Sequence, residues 1–199
     1  VGGGSNMDLA KACATVLTHG GHVRDYVGEE RVPGRVMPVI CIPTTAGTGS
    51  EVTGASVLLD AEQHVKVAII SNYLRPLVAL IDPTLTLSCP KKVSADSGID
   101  ALTHAIEAYT AIENSDFPVP VTVVASNQGR NVMGDVFAEK AIELIGRNLV
   151  LAVTEPSNLA AREAMSLAAM LAGLAFSNVG VALVHALEYP VGGAVHCSH

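Results

Sequence analysis

The spacing of hydrophobic and polar positions divides the chain into two parts that meet near Pro90. Before Pro90, short apolar runs alternate with glycine, proline and threonine, and residues 37–43 and 76–82 form continuous apolar runs. Such runs, bounded by turn residues, are typical of strands buried on both faces. Residues 52–60 and 65–71 lie between them and predict a hairpin-like pair.

Helical spacing marks the beginning of the chain and the whole of its second part. Residues 6–20 have apolar positions three and four apart and end at Gly20 and Gly21, a C-terminal stop signal. Strand, helix and strand in this order indicate an α/β layer with a largely parallel sheet. After Pro90, long runs rich in Ala, Leu and Glu predict four helices, at about residues 91–112, 134–153, 157–175 and 179–189. The predicted fold class is therefore α/β followed by all-α, with domains at 1–89 and 90–199.

Composition excludes several classes of protein. Of 199 residues, 49% are hydrophobic, enough for a sizeable core, and the net charge is −7. No nucleic-acid partner is expected, because phosphate backbones need a basic patch and aromatic residues are only 4% of the chain. No membrane span is predicted either, since no run of about eighteen apolar residues occurs. Four scattered cysteines form no C-x-x-C pair, which favours a reducing, cytoplasmic compartment.

Asp100 and His104 stand four residues apart in the predicted helix that follows Pro90. Side chains at this spacing share one helix face and can converge on one point. A carboxylate with a neutral imidazole suits a divalent metal ion. Taken alone, however, the pair favours a dipole-stabilised Asp and a packed core histidine over a metal site.

Two further histidines change that balance. His185 lies in an apolar helical run, where a polar ring is costly unless something binds it, and His199 follows fourteen residues later. One Asp and three His would form a four-ligand set with positions left for a substrate oxygen, as in sites that act as Lewis acids. His196 is an alternative to His199 that spacing alone does not separate.

Two stretches in the first part have the composition of a phosphate or dinucleotide site. The glycine-rich residues 2–8 open a helix, so their backbone N–H groups can hold an anion, although a simple strand-to-helix turn explains them equally well. Residues 43–53, "PTTAGTGSEVT", follow an apolar strand, and either a ligand site or an ordinary Thr/Gly loop accounts for them. Their place at the carboxyl end of a strand favours the ligand site.

Taken together, seven motifs in this order resemble the iron-containing (metal-dependent) alcohol dehydrogenase family: "GGGS…D", "PTTAGTGSEVT", "IDP", "SGIDALTHAIEAY", "AEKAIELI", "AFSNVGVALVHALEYPVGG" and the final His. The resemblance implies the dehydroquinate synthase-like fold of that family, with a divalent metal, Fe²⁺ first and Zn²⁺ second, and NAD or NADP. The implied metal ligands are Asp100, His104, His185 and His199. The implied cofactor residues are Gly3, Gly4, Ser5 and Asp8 at the pyrophosphate and ribose, with Thr44, Thr45, Thr48, Ser50 and Lys66 along the rest of the cleft.

The same resemblance implies hydride transfer between NAD(P) and a small alcohol, aldehyde or ketone, in a homodimer. One position departs from the family pattern, because Tyr189 stands where many members have a histidine that relays the substrate proton. A phenol with an ordinary pKa near 10 donates a proton but is a poor base. Tyr189 is similar to the residue of hydroxyacid–oxoacid transhydrogenases, which transfer hydride between a hydroxy acid and an oxo acid with retained cofactor.

Both ends of the chain also depart from the family pattern. Family members extend further on each side, so the sequence is expected to be an internal fragment of a longer protein. A catalytically inactive fragment, acting as a structural or interaction module, is a further hypothesis, because missing strands and helices would expose apolar faces.

Overall fold

A computed structural model describes residues 1–63, 65–116, 120 and 125–195, and the side chains of Tyr189 and residues 192–195 lie outside that description. The helices are α1 (Gly4–His19), α2 (Lys91–Thr110), α3 (Val132–Thr154), α4 (Leu159–Val179) and α5 (Leu183–Val195). The strands are β1 (Gly28–Glu29), β2 (Ile40–Cys41), β3 (Ala55–Asp60), β4 (Val65–Ile70) and β5 (Val78–Ala79). Short 3₁₀ turns connect several of these elements.

Helix α1 confirms the predicted N-terminal helix and begins two residues earlier than the pattern indicates. Gly3, in extended conformation, precedes its first turn. Gly20 ends it with φ 78°, and its N–H donates to the carbonyl of Val16. A left-handed φ of this kind is accessible to glycine at little cost, which explains why the helix stops there.

The strands form two small sheets. β3 and β4 pair antiparallel, from Ala55 opposite Ile70 to Asp60 opposite Val65, which confirms the predicted hairpin-like pair. β1 joins β4 in parallel, and β2 pairs with β5 in parallel as a separate two-stranded sheet. The prediction of a largely parallel sheet is therefore only partly right, because the longest pairing is antiparallel.

The two continuous apolar runs were predicted to be strands buried on both faces, and this is wrong for the described residues. Each run contributes a two-residue strand, and Ile40 in β2 is 60% exposed while Leu80 after β5 is 52% exposed. Within the described chain β2 pairs with β5, and Gly2 forms a parallel bridge to Pro43 just after β2. An apolar run indicates that burial of these residues is favourable, but it does not identify the element that packs against them.

Helices α2, α3 and α4 pack against one another around a core made largely of alanine. Fully buried alanines such as Ala105, Ala141 and Ala168 let the helix axes approach closely, and Ile145 and Met165 fill the remaining space. The four predicted helices are confirmed. The last of them, α5, begins later than predicted and continues past Pro190 to Val195.

Close backbone contact joins the loop after β2 to helix α4. Gly49 has φ 62°, and a Cβ placed on it would lie 2.6 Å from the Cα of Gly173. Arg75 reaches the same helix, where its guanidinium donates to the hydroxyl of Ser177 at 2.6 Å and to its carbonyl at 2.9 Å. These contacts hold the strand-containing part against the helical part and leave a cleft between them.

Helix α4 is, among the described helices, the one long and apolar enough to cross a membrane by length and composition. Half of its apolar window is buried inside the protein. Core helices of globular proteins meet the same test, and the buried alanines of α4 are accounted for by packing against α2 and α3.

Candidate functional site

Helix α2 brings Asp100 and His104 together one turn apart, as their spacing predicts. Oδ1 of Asp100 lies 3.6 Å from Nε2 of His104, and the two side chains are only 8% and 6% exposed. Two groups that are able to bind a metal ion therefore lie next to each other in a buried position.

Helix α5 adds His185 to this pair from the other side. Its Nε2 lies 3.5 Å from the same Oδ1 of Asp100, and its side chain is 7% exposed. The ligand atoms of Asp100, His104 and His185 all lie within 4.8 Å of one another. We call these three residues the Asp100 cluster. A single divalent cation is small enough to be shared by three donors at this separation.

Glu107 lies behind His185, on the side away from Asp100. Its Oε2 forms a short hydrogen bond with Nδ1 of His185, and its Oε1 accepts from the backbone N–H of Val184 at 2.6 Å. Burial raises the pKa of Glu107, but the hydrogen bonds from His185 and from the backbone N–H groups of Ala182 and Val184 outweigh this effect and lower it. The carboxylate is therefore ionised and accepts hydrogen bonds only.

Opposing effects also act on His185. Burial lowers the pKa of His185, whereas the nearby carboxylates of Asp100 and Glu107 raise it by a larger amount. Because ionised Glu107 accepts at Nδ1, that nitrogen carries a proton. The neutral ring then keeps its lone pair on Nε2, the nitrogen that faces Asp100.

Aromatic stacking fixes the orientation of the imidazoles. The ring of His104 stacks on Phe176 of α4 with centroids 4.1 Å apart, and on His185 with centroids 4.5 Å apart. The stack restricts rotation of both imidazoles and covers the cluster with an apolar ring. Water is thereby kept from one side of the site.

Three of the four predicted metal ligands are described, and the structure brings those three together. His199 lies outside the described residues, as does its alternative His196, so the fourth ligand stays a prediction. The side chain of Tyr189, the predicted proton relay, also lies outside the description.

A cavity of about 460 Å³ extends from the Asp100 cluster along the cleft to the beginning of α1. Six of the nine predicted cofactor residues line it: Gly4, Ser5, Asp8, Thr48, Ser50 and Lys66. The other three, Gly3, Thr44 and Thr45, do not line it. A Cβ on Gly4 would lie 2.6 Å from the Thr48 methyl group, so a side chain at this position would displace Thr48 where the two predicted loops meet.

Asp8 and Ser50 belong to a hydrogen-bonded network that is centred on Lys11. The Lys11 side chain is fully buried, and its ammonium donates to the hydroxyl of Ser50 at 2.9 Å and to the carbonyls of Thr53 at 3.0 Å and Ala55 at 2.7 Å. Ser50 in turn donates to Oδ1 of Asp8 at 2.6 Å. We call these residues the Lys11 cluster; it ties helix α1 to the loop before β3.

The charge of Lys11 is costly to bury. Burial lowers its pKa from 10.5 to about 8, and attraction to Asp8 opposes this effect. Glu51, also buried, has a raised pKa for the same reason, which Lys11 and a backbone hydrogen bond offset in part. Asp8 makes a further contact, in which its Oδ2 accepts from the N–H of Val57 at 3.0 Å. Its carboxylate therefore fixes local structure in addition to lining the cavity.

Lys66 spans the cleft to helix α5. Its Nζ lies 2.7 Å from Oε1 of Glu188, and the two side chains are 25% and 17% exposed. This ion pair connects β4 to the helix that carries His185. Lys66 therefore lines the cavity as predicted, with a carboxylate beside it.

Sequence reasoning missed Glu107 and Lys11. Glu107 lies three residues after His104, on the same helix face, but its contact with His185 joins positions 78 apart in sequence. Lys11 occupies the core-facing stripe of α1 between Met7 and Ala14, and a lysine at such a position is the one signal that points to it.

Comparison with known proteins follows the same division of the chain. Residues 1–83 match the family described as "Iron-containing alcohol dehydrogenase", and residues 94–199 match "Fe-containing alcohol dehydrogenase family, C-terminal". The chain belongs to the iron-containing alcohol dehydrogenase family and has the fold of that family, dehydroquinate synthase-like.

The matches to individual relatives extend over nearly all of this chain but over only about half of each relative. The chain is 40% identical to the NAD-dependent methanol dehydrogenase of Bacillus methanolicus, over 100% of this chain and 48% of that protein. It is 40% identical to the mitochondrial hydroxyacid-oxoacid transhydrogenase of Xenopus tropicalis, over 98% and 44%. The crystal structure of a 1,3-propanediol oxidoreductase is similar with a TM-score of 0.88 at 39% identity, over 100% and 48%. The chain thus spans about half the length of the relatives it matches.

The donor set of the Asp100 cluster fits a divalent metal ion such as iron or zinc. It combines one carboxylate with two imidazoles, and Glu107 holds one of those imidazoles in the tautomer that metal binding requires. The cavity also fits a dinucleotide at one end, since it begins at the glycine-rich start of α1 and is lined there by Gly4 and Ser5.

Proposed function

We propose that the protein transfers a hydride between a small alcohol, or the corresponding aldehyde or ketone, and a nicotinamide dinucleotide, NAD or NADP, with a divalent metal at the Asp100 cluster. The observation that carries this proposal is the convergence of Asp100, His104 and His185 at the end of a cavity that reaches the glycine-rich start of α1. Membership of the iron-containing alcohol dehydrogenase family supports the same chemistry.

In this proposal the metal is held by Asp100, His104, His185 and the predicted fourth ligand His199. The ion we expect is Fe²⁺, with Zn²⁺ as the alternative. When bound, such an ion supplies Lewis acidity to a substrate hydroxyl or carbonyl. Asp100 contributes negative charge and a hard oxygen, which also offsets the charge of the cation. Phe176 limits access of water through its stack on His104.

The first part of the chain holds the cofactor in this proposal. N–H groups at Gly3, Gly4 and Ser5, at the positive end of the α1 dipole, bind the pyrophosphate. Asp8 lies beside the ribose, and the predicted residues Thr44, Thr45, Thr48, Ser50 and Lys66 line the rest of the cleft. Tyr189 passes the substrate proton towards solvent, acting as a donor and acceptor at its phenol oxygen.

A second candidate function keeps the metal and the cleft but retains the cofactor while hydride passes between a hydroxy acid and an oxo acid. It is favoured by Tyr189 in the sequence and by the 40% identity to the Xenopus tropicalis transhydrogenase. In both functions the substrate is a small molecule.

One set of assays separates the two functions. The full-length protein, loaded with Fe²⁺ or Zn²⁺, is assayed with short alcohols and aldehydes with and without added NAD(H) or NADP(H). We expect turnover that needs both metal and added nicotinamide. Exchange between a hydroxy acid and an oxo acid without added nicotinamide would assign the second function. Absence of metal-dependent turnover in either assay would refute both.

We also propose, from the sequence, that residues 1–89 and 90–199 belong to a cofactor domain and a metal domain, and that the protein works as a cytoplasmic homodimer. The scattered cysteines support a reducing compartment, and the change from strands to long helices after Pro90 supports the division. Sedimentation analysis of the full-length protein tests the dimer.

A further inference from the structure

Glu107 is placed to control the metal-binding nitrogen of His185 from behind. It lies on α2, seven residues after Asp100, and its carboxylate contacts the start of α5 with both oxygens. One oxygen accepts from the backbone of Val184, and the other from the ring of His185. The side chain is 5% exposed, so bulk water does not readily substitute for either contact.

Both oxygens of Glu107 face N–H groups, and this decides which group can occupy the position. A carboxylate presents only acceptors, so it satisfies the N–H of Val184 and the Nδ1–H of His185 together. A carboxamide presents one acceptor and one N–H₂ donor. If its oxygen faces Val184, its N–H₂ faces His185 and requires Nδ1 to accept, which moves the ring proton to Nε2.

The position of that proton decides whether His185 can bind a metal. Nε2 is the nitrogen that lies 3.5 Å from Asp100, within the Asp100 cluster. A protonated Nε2 in the neutral ring has no lone pair for a cation. The same contact also fixes the beginning of α5, because Glu107 accepts from Val184 in its first turn.

We propose that Glu107 is a positioning residue for the metal centre, acting by holding His185 in the Nδ1–H tautomer and anchoring the first turn of α5. This inference rests on the proposed metal site. It goes beyond that site in assigning a role to a residue that does not contact the metal. Carboxylates behind metal-binding histidines typically affect metal affinity by about 10–100-fold.

The test uses Glu107→Gln and Glu107→Asp in the full-length protein, with Zn²⁺ as the probe and calorimetric titration as the measurement. We expect Glu107→Gln to weaken Zn²⁺ binding by about 10–100-fold. Glu107→Asp keeps two acceptor oxygens and the charge, so it should lose less Zn²⁺ affinity than Glu107→Gln. A role in packing alone predicts the reverse order, because Gln preserves the volume of Glu and Asp does not.

A second measurement does not depend on metal. Heteronuclear NMR of the histidine ring nitrogens in the metal-free protein, at alkaline pH, should show Nδ1–H for His185 in the wild type and a shift towards Nε2–H in Glu107→Gln. Glu163→Gln, an exposed glutamate on α4, is the matched control and should leave both readouts unchanged. Thermal unfolding by circular dichroism checks that every variant is folded.

The outcomes distinguish this inference from the proposed function. Wild-type protein that binds no Zn²⁺ would overturn the metal site itself, and the inference with it. If the wild-type protein binds Zn²⁺ and Glu107→Gln binds it as tightly as the wild type, or more tightly than Glu107→Asp does, the inference alone would be overturned.

Discussion

Two buried polar clusters lie on either side of the cleft, and they are built on opposite principles. The Lys11 cluster surrounds a cation that belongs to the chain, and its ammonium donates hydrogen bonds to Ser50, Thr53 and Ala55. The Asp100 cluster gathers a carboxylate and two imidazoles, which are groups that offer lone pairs to a common point. In the first cluster the hydrogen-bond acceptors are therefore satisfied by a side chain of the protein. The second cluster consists of groups that can bind a metal ion.

This difference teaches which buried charge serves structure and which serves chemistry. The Lys11 cluster joins neighbouring elements of the first part and satisfies its polar atoms within the protein, so it stabilises the wall of the cavity. The Asp100 cluster joins α2 to α5, and Glu107 and Phe176 fix the directions of its rings. Preorganised rings of this kind are what a metal site requires.

Asp100→Asn is the most direct test of the difference between the two clusters, because it removes the negative charge of the Asp100 cluster and preserves the shape of the side chain. We expect loss of bound metal and a fall in turnover of about 1,000-fold, since a catalytic metal is worth several kcal/mol of transition-state stabilisation. Metal content by elemental analysis and steady-state kinetics measure the two effects. Asp116→Asn, an exposed aspartate, is the control, and equal metal content in both variants would contradict the prediction.

Lys11→Met removes the cation of the first cluster. We expect the free energy of unfolding to fall by about 3 kcal/mol, because the buried acceptors of Ser50, Thr53 and Ala55 lose their donor and the Asp8 carboxylate loses its nearby positive charge. Urea denaturation at neutral pH measures the change. Lys140→Met, whose lysine side chain is 50% exposed on α3, should change stability by less than about 1 kcal/mol. Equal stabilities for the two variants would show that the Lys11 network contributes little.

The same lysine predicts a pH dependence. Its pKa is about 8 in the folded protein against 10.5 for an ordinary lysine, so between these values the unfolded chain binds more protons than the folded one. The free energy of unfolding therefore gains from this group as pH rises through that window, by a few kcal/mol at most. Denaturation at several pH values should show the wild-type stability rising relative to Lys11→Met. A flat difference would indicate that Lys11 keeps an ordinary pKa.

Gly49→Ala tests the backbone contact that holds the part of the chain with the Lys11 cluster against the helical part with the Asp100 cluster. The left-handed φ of 62° and the 2.6 Å approach of a Cβ to the backbone of α4 both oppose a side chain there. We expect a loss of about 2 kcal/mol in thermal or urea unfolding. Gly146→Ala, in helix α3 with open space around its Cβ, should instead stabilise by about 0.5–1 kcal/mol. Similar stability changes for Gly49→Ala and Gly146→Ala would mean that the loop with Gly49 can shift away from α4 at little cost.

Part of the site could be predicted from the sequence because its signals are local. The four-residue spacing of Asp100 and His104 requires only a helix, and the helical pattern there is strong. His185 was found because a polar ring in an apolar run calls for a partner. Glu107 could not be found in this way, since its role depends on a contact with a residue 78 positions away.

The first part of the chain shows the same limit. Glycine-rich residues at the start of α1 and the loop around Thr48 were predicted to lie along one cleft, and the cavity includes Gly4 and Thr48. Lys11 was missed because helical periodicity predicts an apolar residue on that face and does not reveal buried acceptors opposite. The extent of β2 was overestimated because apolar character does not identify neighbouring strands.

The sequence by itself determined the order of strands and helices, the helix faces and the residue types able to bind a metal, because these depend on spacings within one element. Tertiary structure alone decided that Glu107 contacts His185 on the side away from Asp100, and that hydrogen-bond acceptors surround the Lys11 ammonium. Each of those facts needs two distant segments in contact. Such contacts are fixed by packing of the whole core, as in the meeting of Gly49 and Gly173, and no local pattern encodes them.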